Sequence, residues 1–172
     1  MPDQHTLAET ERAMTERVGP LALDFPAAHA ISSLYRAANA ARQHLTNKVL
    51  RPNELTWTGF LVLWLLWIWE SMQTRHVAES VGISKATLTG VTDTLVNRGL
   101  VMRVPDPSDR RLVQLTLTVE GRELMAELYP QFNLAEGELV AGLPTEEVEL
   151  LTRSLRHIVT TGEGERANGD GS

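Results

Sequence analysis

Two adjacent arginines, Arg110 and Arg111, follow Asp109 in a stretch, Pro105-Asp106-Pro107-Ser108, whose prolines and aspartate force a turn. Paired guanidiniums at the tip of a turn suit phosphates, or the narrow A·T minor groove where negative potential concentrates. Upstream, Ser84, Lys85, Thr87 and Thr89 gather hydroxyls and one ammonium. Such groups bond phosphates or base edges, and threonine methyls can meet thymine methyls. Arg75 lies a little earlier and can reach a phosphate. Each has a blander reading: most charged turns are solvated loops, Ser84 suits a helix cap, and Arg75 suits a free surface position. The surrounding elements decide, and for the arginine pair they favour function.

Those elements occupy residues 74–118. Val77, Ala78 and Val81 share one helical face, Gly82 supplies the positive φ a turn needs, and Ser84 is placed to cap the next helix. Leu88, Val91 and Leu95 recur at i, i+3 and i+7, which turns one side of that helix toward a core. The opposite side is read as Lys85, Thr87, Thr89, Thr92, Asp93 and Asn97, small and polar, as a helix lying in a DNA groove should be. Ala78 where two helices cross, Gly82 in the turn and an apolar rear face satisfy a helix-turn-helix. Gly99 ends the second helix and Leu100-Val101 begins an extended run. From 112 to 118, Val113, Leu115 and Leu117 alternate with Gln114, Thr116 and Thr118, the period of a half-buried strand. A helix-turn-helix followed by such a hairpin is a winged helix.

The run resembles the MarR family of winged-helix transcriptional regulators, whose wing carries Asp-x-Arg at its tip and a Leu-Thr strand end. Here these are Asp109-Arg110-Arg111, with Leu115-Thr116 and Leu117-Thr118 downstream. Residues 84–101 resemble the family's recognition helix and its exit. The likeness runs from about Pro26 to about Val159 and is specific between 74 and 118. It departs at Gly90, where relatives often carry a longer polar or basic side chain, so no base contact is carried over there. A helix-interior glycine also costs ~1 kcal/mol relative to alanine. The resemblance implies that Arg111 enters the minor groove, that Asp109 braces it through an ion pair, and that Arg110 meets a phosphate. It further implies a homodimer built from the long helices, a double-stranded DNA operator as partner, and a small-molecule effector bound between the dimer helices and the winged helix. No cofactor is implied.

Composition bounds the alternatives. The 172 residues suit one compact domain, or one domain with flexible ends, and 42% hydrophobic content suffices for its core. The net charge of −6 argues against a nucleic-acid binder until its distribution is considered. Residues 74–113 hold six basic and four acidic side chains, leaving ten basic and eighteen acidic elsewhere. Cysteine is absent, which excludes disulfides, thiolate zinc sites and thiol redox sensing. The five histidines lack paired spacing, so no metal site is expected. No phosphate-binding glycine loop, nucleophile elbow or base–nucleophile pair motivates an enzyme. Residues 1–20 lack the apolar run of a signal peptide, and the expected compartment is the cytoplasm.

Along the chain, residues 1–23 read as a polar arm or short helix. Residues 24–50 and 119–160 read as a helical dimerisation region, 51–118 as the winged helix-turn-helix DNA-binding domain, and 161–172 as a glycine-rich disordered tail. Ile31, Ala38 and Leu45 repeat at seven in a helix over 27–49, which Pro52 and Asn53 break before Thr56 caps the next. Residues 59–69, GFLVLWLLWIW, are the most apolar stretch, yet shorter than the ~20 residues a membrane span needs. Trp57, Phe60, Trp64 and Trp67 form an aromatic stripe there, read first as core and second as the wall of an effector pocket. Thr118 caps a helix that Pro130 must kink or interrupt. Pro144 and Thr145 open a last helix with Val148, Leu151, Leu155 and Ile158 in a stripe whose obvious partner is the first long helix.

The expected fold is mainly α (α+β): a winged helix-turn-helix with a small β-hairpin wing and long terminal helices forming a helical dimer interface. The expected function is a homodimeric, sequence-specific DNA-binding regulator, a repressor released from a pseudo-palindromic operator by an aromatic or lipophilic effector. The alternative is a winged-helix protein-interaction module without direct DNA binding, which the acidic total permits.

Overall fold

A helix apolar on every side must be enclosed, and α3 (Trp57–Trp69) lies at the centre of the fold. The computed structural model describes residues 6–19, 21, 23–106, 109 and 112–169. Before α3 come α1 (Leu7–Val18) and α2 (Phe25–Leu45), the latter continuing through a π turn, Thr46–Leu50, and a 3-10 turn, Arg51–Asn53. After it come β1 (Ser71–Gln73), α4 (Thr74–Val81), α5 (Lys85–Asn97), β2 (Val101–Pro105), β3 (Val113–Leu117), α6 (Val119–Val140) and α7 (Thr145–Gly169). Side-chain oxygens of Thr6, Asp24, Thr56, Ser84 and Thr118 accept from backbone N–H groups at the starts of α1, α2, α3, α5 and α6. Each satisfies a donor that the helix itself leaves open.

Val62, Leu63 and Leu66 of α3 are fully buried, and around them close Val77, Leu88, Leu95, Leu115, Leu117, Met125 and Leu128. Phe60 stacks on Phe132 of α6 with ring centroids 4.2 Å apart, which ties α3 to the long helix. Leu45, Val49 and Leu50 bring α2 and its π turn into the same core. On the surface of this junction Lys48 donates to both carboxylate oxygens of Glu138, and His44 Nε2 lies 3.3 Å from one of them. The Lys48 hydrogen bond first, and then His44, hold the Glu138 carboxyl below its ordinary range.

Four features depart from the sequence expectations. The expected hairpin is present as β2 and β3, but the sheet has a third antiparallel strand, in the order β1-β3-β2. Strand β1 is three residues of Ser-Met-Gln with no apolar alternation, so its pairing with β3, Ser71 to Thr116 and Gln73 to Gln114, is set by the fold around it. Of the two outcomes expected at Pro130, a kink or an interruption, the interruption does not occur, and helix α6 runs through it. The ring stands exposed, while buried Leu128, Phe132 and Ala135 on either side hold the helix, offsetting the ~3 kcal/mol that an interior proline costs. Helix α7 continues to Gly169, past 161 where a disordered tail was expected, since propagating a helix costs far less than nucleating one. Finally, α2 packs on α6 rather than on α7. Among the described residues the α7 stripe therefore stays partly open, with Val148 and Leu155 half-buried and Leu151 and Ile158 exposed alongside Leu150 and Val159.

Two glycines give opposite expectations. A Cβ at Gly121 would sit 2.1 Å from the carbonyl oxygen of Leu100, where α6 crosses the start of β2. Gly121→Ala should lower the urea midpoint, by about 1–3 kcal/mol of overpacking. A Cβ at Gly90, in the exposed face of α5, would meet nothing within 4 Å. Gly90→Ala should raise the midpoint, by about 1 kcal/mol of helix propensity.

Candidate nucleic-acid interface

Helix α4 ends at Gly82, whose φ of 73° reverses the chain, and the turn closes with Gly82 N–H on the Glu79 carbonyl and Ile83 N–H on that of Ala78. Ser84 then caps α5, its Oγ accepting from Thr87 N–H at 3.1 Å. Leu88, Thr92 and Leu95 are buried and Val91 is half-buried, so the rear of α5 rests on the core. Thr92 thereby corrects the expected polar face. Its hydroxyl donates to the Leu88 carbonyl at 2.8 Å, which lets a threonine occupy a core position without an unsatisfied donor.

Ser84, Lys85, Thr87 and Thr89 all lie exposed on or beside the outer face of α5. Arg75 is exposed on α4 and donates through Nε to His76 Nε2 at 3.1 Å. Asp109 is half-buried, and its N–H reaches Asp106 Oδ1 at 3.3 Å. Arg110 and Arg111 lie outside the described residues, so the expected pairing of Asp109 with Arg111 is not placed. Arg103 of β2 ion-pairs with Asp93 of α5 at 2.7 Å, tying the sheet to the recognition helix.

The residue that sequence reasoning missed is Asp106. It is 3% exposed, a carboxylate that burial would make costly without partners. Its Oδ2 accepts from Gln73 Nε2 at 2.9 Å and Gln114 Nε2 at 2.8 Å, while Oδ1 takes the Asp109 N–H. Ser71 in turn donates to Gln114 Oε1. All three strands are thus gathered around one carboxylate at the point where the β2–β3 loop departs. An aspartate held between two prolines, with another aspartate three residues on, is the pattern that signals such a side-chain-to-backbone turn.

A second clamp sets where α5 sits. Arg98, just past its end, donates to the carbonyls of Glu54 at 2.6 Å and Asn53 at 3.2 Å. Glu54 has a left-handed backbone, φ 54°, strained for a residue with a side chain. Beside this clamp a cavity of about 390 Å³ separates the start of α3 from the flank of α5, lined by Leu55, Gly59, Ala86, Gly90, Thr94 and Arg98 among others.

Of the aromatic stripe, Phe60 is core, Trp64 is half-buried against the core, and Trp67 packs on Tyr129 with centroids 5.4 Å apart. Trp57 leans on Phe60 and Phe132, yet also borders a second cavity, about 470 Å³, with Asn39, Arg42, Arg51 and Thr58. Among the described residues, Trp57 is the one member of the stripe that lines either cavity. Also among them, no cluster of His, Asp or Glu could hold a metal, and no helix is long and apolar enough to cross a membrane.

A helix-turn-helix backed by a three-stranded antiparallel sheet and carried on long helices defines a winged-helix protein. Residues 55–113 match the model of the MarR family. The chain is 38% identical over 136 residues to an uncharacterised HTH-type transcriptional regulator, YwaE, of Bacillus subtilis, covering 79% of this chain and 80% of that one. Among solved structures it resembles the MarR C80S mutant of E. coli complexed with operator DNA, at 25% identity and a TM-score of 0.65, covering 74% of this chain and 91% of the other. It also resembles BpsR of Bordetella bronchiseptica, described with regulation of its DNA binding by 6-hydroxynicotinic acid, at 28% identity and a TM-score of 0.68, covering 76% and 98%. The chain belongs to the MarR family. It is a winged-helix, DNA-binding transcriptional regulator and not an enzyme.

Asp106→Ala would leave the Gln73 and Gln114 amides without their acceptor. Stability should fall by about 1–3 kcal/mol, and urea unfolding followed by circular dichroism measures it. Asp106→Asn, which keeps an acceptor oxygen, should fall between the two.

Proposed function

We propose that the protein is a homodimeric, cytoplasmic repressor that places α5 of each copy in successive major grooves of a pseudo-palindromic operator. Half-site centres would lie ~34 Å apart. The observation that carries this is α5 itself: an apolar rear face seated on the core, and an outer face of hydroxyls, one ammonium and small residues left open. Arg110 and Arg111 follow a loop whose base is fixed by Asp106, and their proposed partners are a phosphate and the minor groove. The second copy is supported by α7, whose apolar stripe has no substantial partner among the described residues, and by exposed Leu21, Leu23, Ile31 and Tyr35 near the start of α2. Burying such faces between two copies removes them from water.

An effector is proposed for the cavity beside Trp57. Arg42 and Arg51 with one indole suit an aromatic molecule bearing an acidic group. A ligand that binds the DNA-incompetent arrangement better would shift the population toward release.

Fluorescence anisotropy with DNA from the gene's own upstream region, in a salt series, tests the DNA reading. Wild type should bind tightly, weaken as salt rises, and lose affinity and part of its salt slope in Arg111→Ala. Light scattering should give a dimer at micromolar concentration; a monomer would defeat the two-groove geometry. Charge reversal at Arg110 and Arg111 that spares DNA binding would favour the protein-interaction alternative. For the effector, phenols and aromatic carboxylates should quench tryptophan fluorescence and reduce DNA binding together, and Arg42→Ala should abolish both responses. No quenching and no release by any of them would return Trp57 to a purely structural role.

A further inference from the structure

The outer face of α5 is short of hydrogen-bond donors. It carries Lys85, Ala86, Thr87, Thr89, Gly90, Asp93, Thr94 and Asn97, all exposed, with no arginine among them. Thr89 donates its hydroxyl hydrogen to the Lys85 carbonyl at 2.9 Å, and Thr94 donates to that of Gly90 at 3.0 Å. Ser84 and Thr87 share one hydrogen between their hydroxyls, 2.9 Å apart, leaving a single hydroxyl hydrogen for the pair. Asp93 brings only acceptors and is held by Arg103. The nearest arginine, Arg98, spends its guanidinium on the Asn53 and Glu54 carbonyls. Over the first turns of the helix, what faces outward is therefore methyl groups, hydroxyl lone pairs, one hydroxyl hydrogen of the Ser84–Thr87 pair and the ammonium of Lys85.

Each base edge asks for something different in the major groove. Guanine presents two acceptors and is read by donors, arginine or lysine, which leaves Lys85 at the edge of the face as its one strong guanine reader. Thymine presents a methyl group, while adenine and cytosine present an amino donor. A face of methyls and acceptors matches the second set. Gly90, with nothing within 4 Å of where a Cβ would stand, leaves the middle of that face without bulk and lets the backbone come close to the base edges.

We infer that α5 recognises its half-site through thymine 5-methyl groups packed against the methyls of Ala86 and Thr89, with guanine contacts absent from the centre of the site. The inference rests on the reading above, that α5 enters the major groove, and adds which chemistry it reads there.

The test begins with duplexes selected from a random pool by the full-length protein. Each thymine of the selected half-site is then replaced by deoxyuridine, which lacks only the 5-methyl group, and binding is followed by anisotropy. Wild type should lose about fourfold in affinity at one or two positions, the worth of one buried carbon. The penalty at one of them should vanish with Thr89→Ser, which keeps the hydroxyl and its bond to the Lys85 carbonyl, and at the other with Ala86→Gly. Selected sites indifferent to deoxyuridine would overturn the inference while the DNA reading stands. A penalty equally large in the variants would overturn its assignment to these side chains. A pool that shows no enrichment would overturn both.

Discussion

Burial of α3 is the interaction on which the remaining structure depends. Val62, Leu63 and Leu66 lose essentially all contact with water, each worth about 1.5–3 kcal/mol, and no single neighbour could enclose them. Their enclosure recruits α4, α5 and the sheet on one side and α2 with α6 on the other. The reading elements and the long-helix scaffold therefore share one core. A shift of α6 is felt at the Phe60–Phe132 stack and, directly, at the Gly121–Leu100 crossing, and packed interiors transmit such displacements because they have little free volume.

Around this core the polar groups are arranged by a second rule, that buried donors and acceptors be matched. Thr92 sits in the core because its hydroxyl returns to its own helix. Asp106 is buried because two glutamines and a backbone amide meet it. The exposed threonines of α5 follow the same habit, and what they withhold from the surface defines what the surface can recognise.

Where apolar spacing governs, the sequence was readable. The period of Leu88, Val91 and Leu95, the turn at Gly82, and the caps at Thr56, Ser84 and Thr118 each depend on neighbours within one or two turns, and each stands in the structure as expected. Readings failed where distant residues decide. Strand β1 has no pattern of its own and exists because β3 offers it an edge. Pro130 carries a strong local signal for a kink or a break, and the break is outweighed by burial on both sides of it. Thr92 looked like its polar neighbours because composition does not reveal which face a threonine takes. Asp106 is a loop residue by type, and among the described residues its donors come from as far as thirty-three positions away. Of the proposed wing arginines, both stand outside the described residues, whereas the four proposed side chains of α5 and its cap lie where the spacing put them.

The Arg98 clamp and cation–phosphate contacts respond differently to the surrounding ions. Contacts between side-chain cations and phosphates weaken steeply as ions accumulate, because they release counterions. A guanidinium bound to two backbone carbonyls has no opposite charge to lose to the surrounding electrolyte. Rising ionic strength can therefore detach the protein from a polyanion while the clamp between the end of α5 and the start of α3 stays closed. Grip is tunable by the medium, and aim is built into the chain.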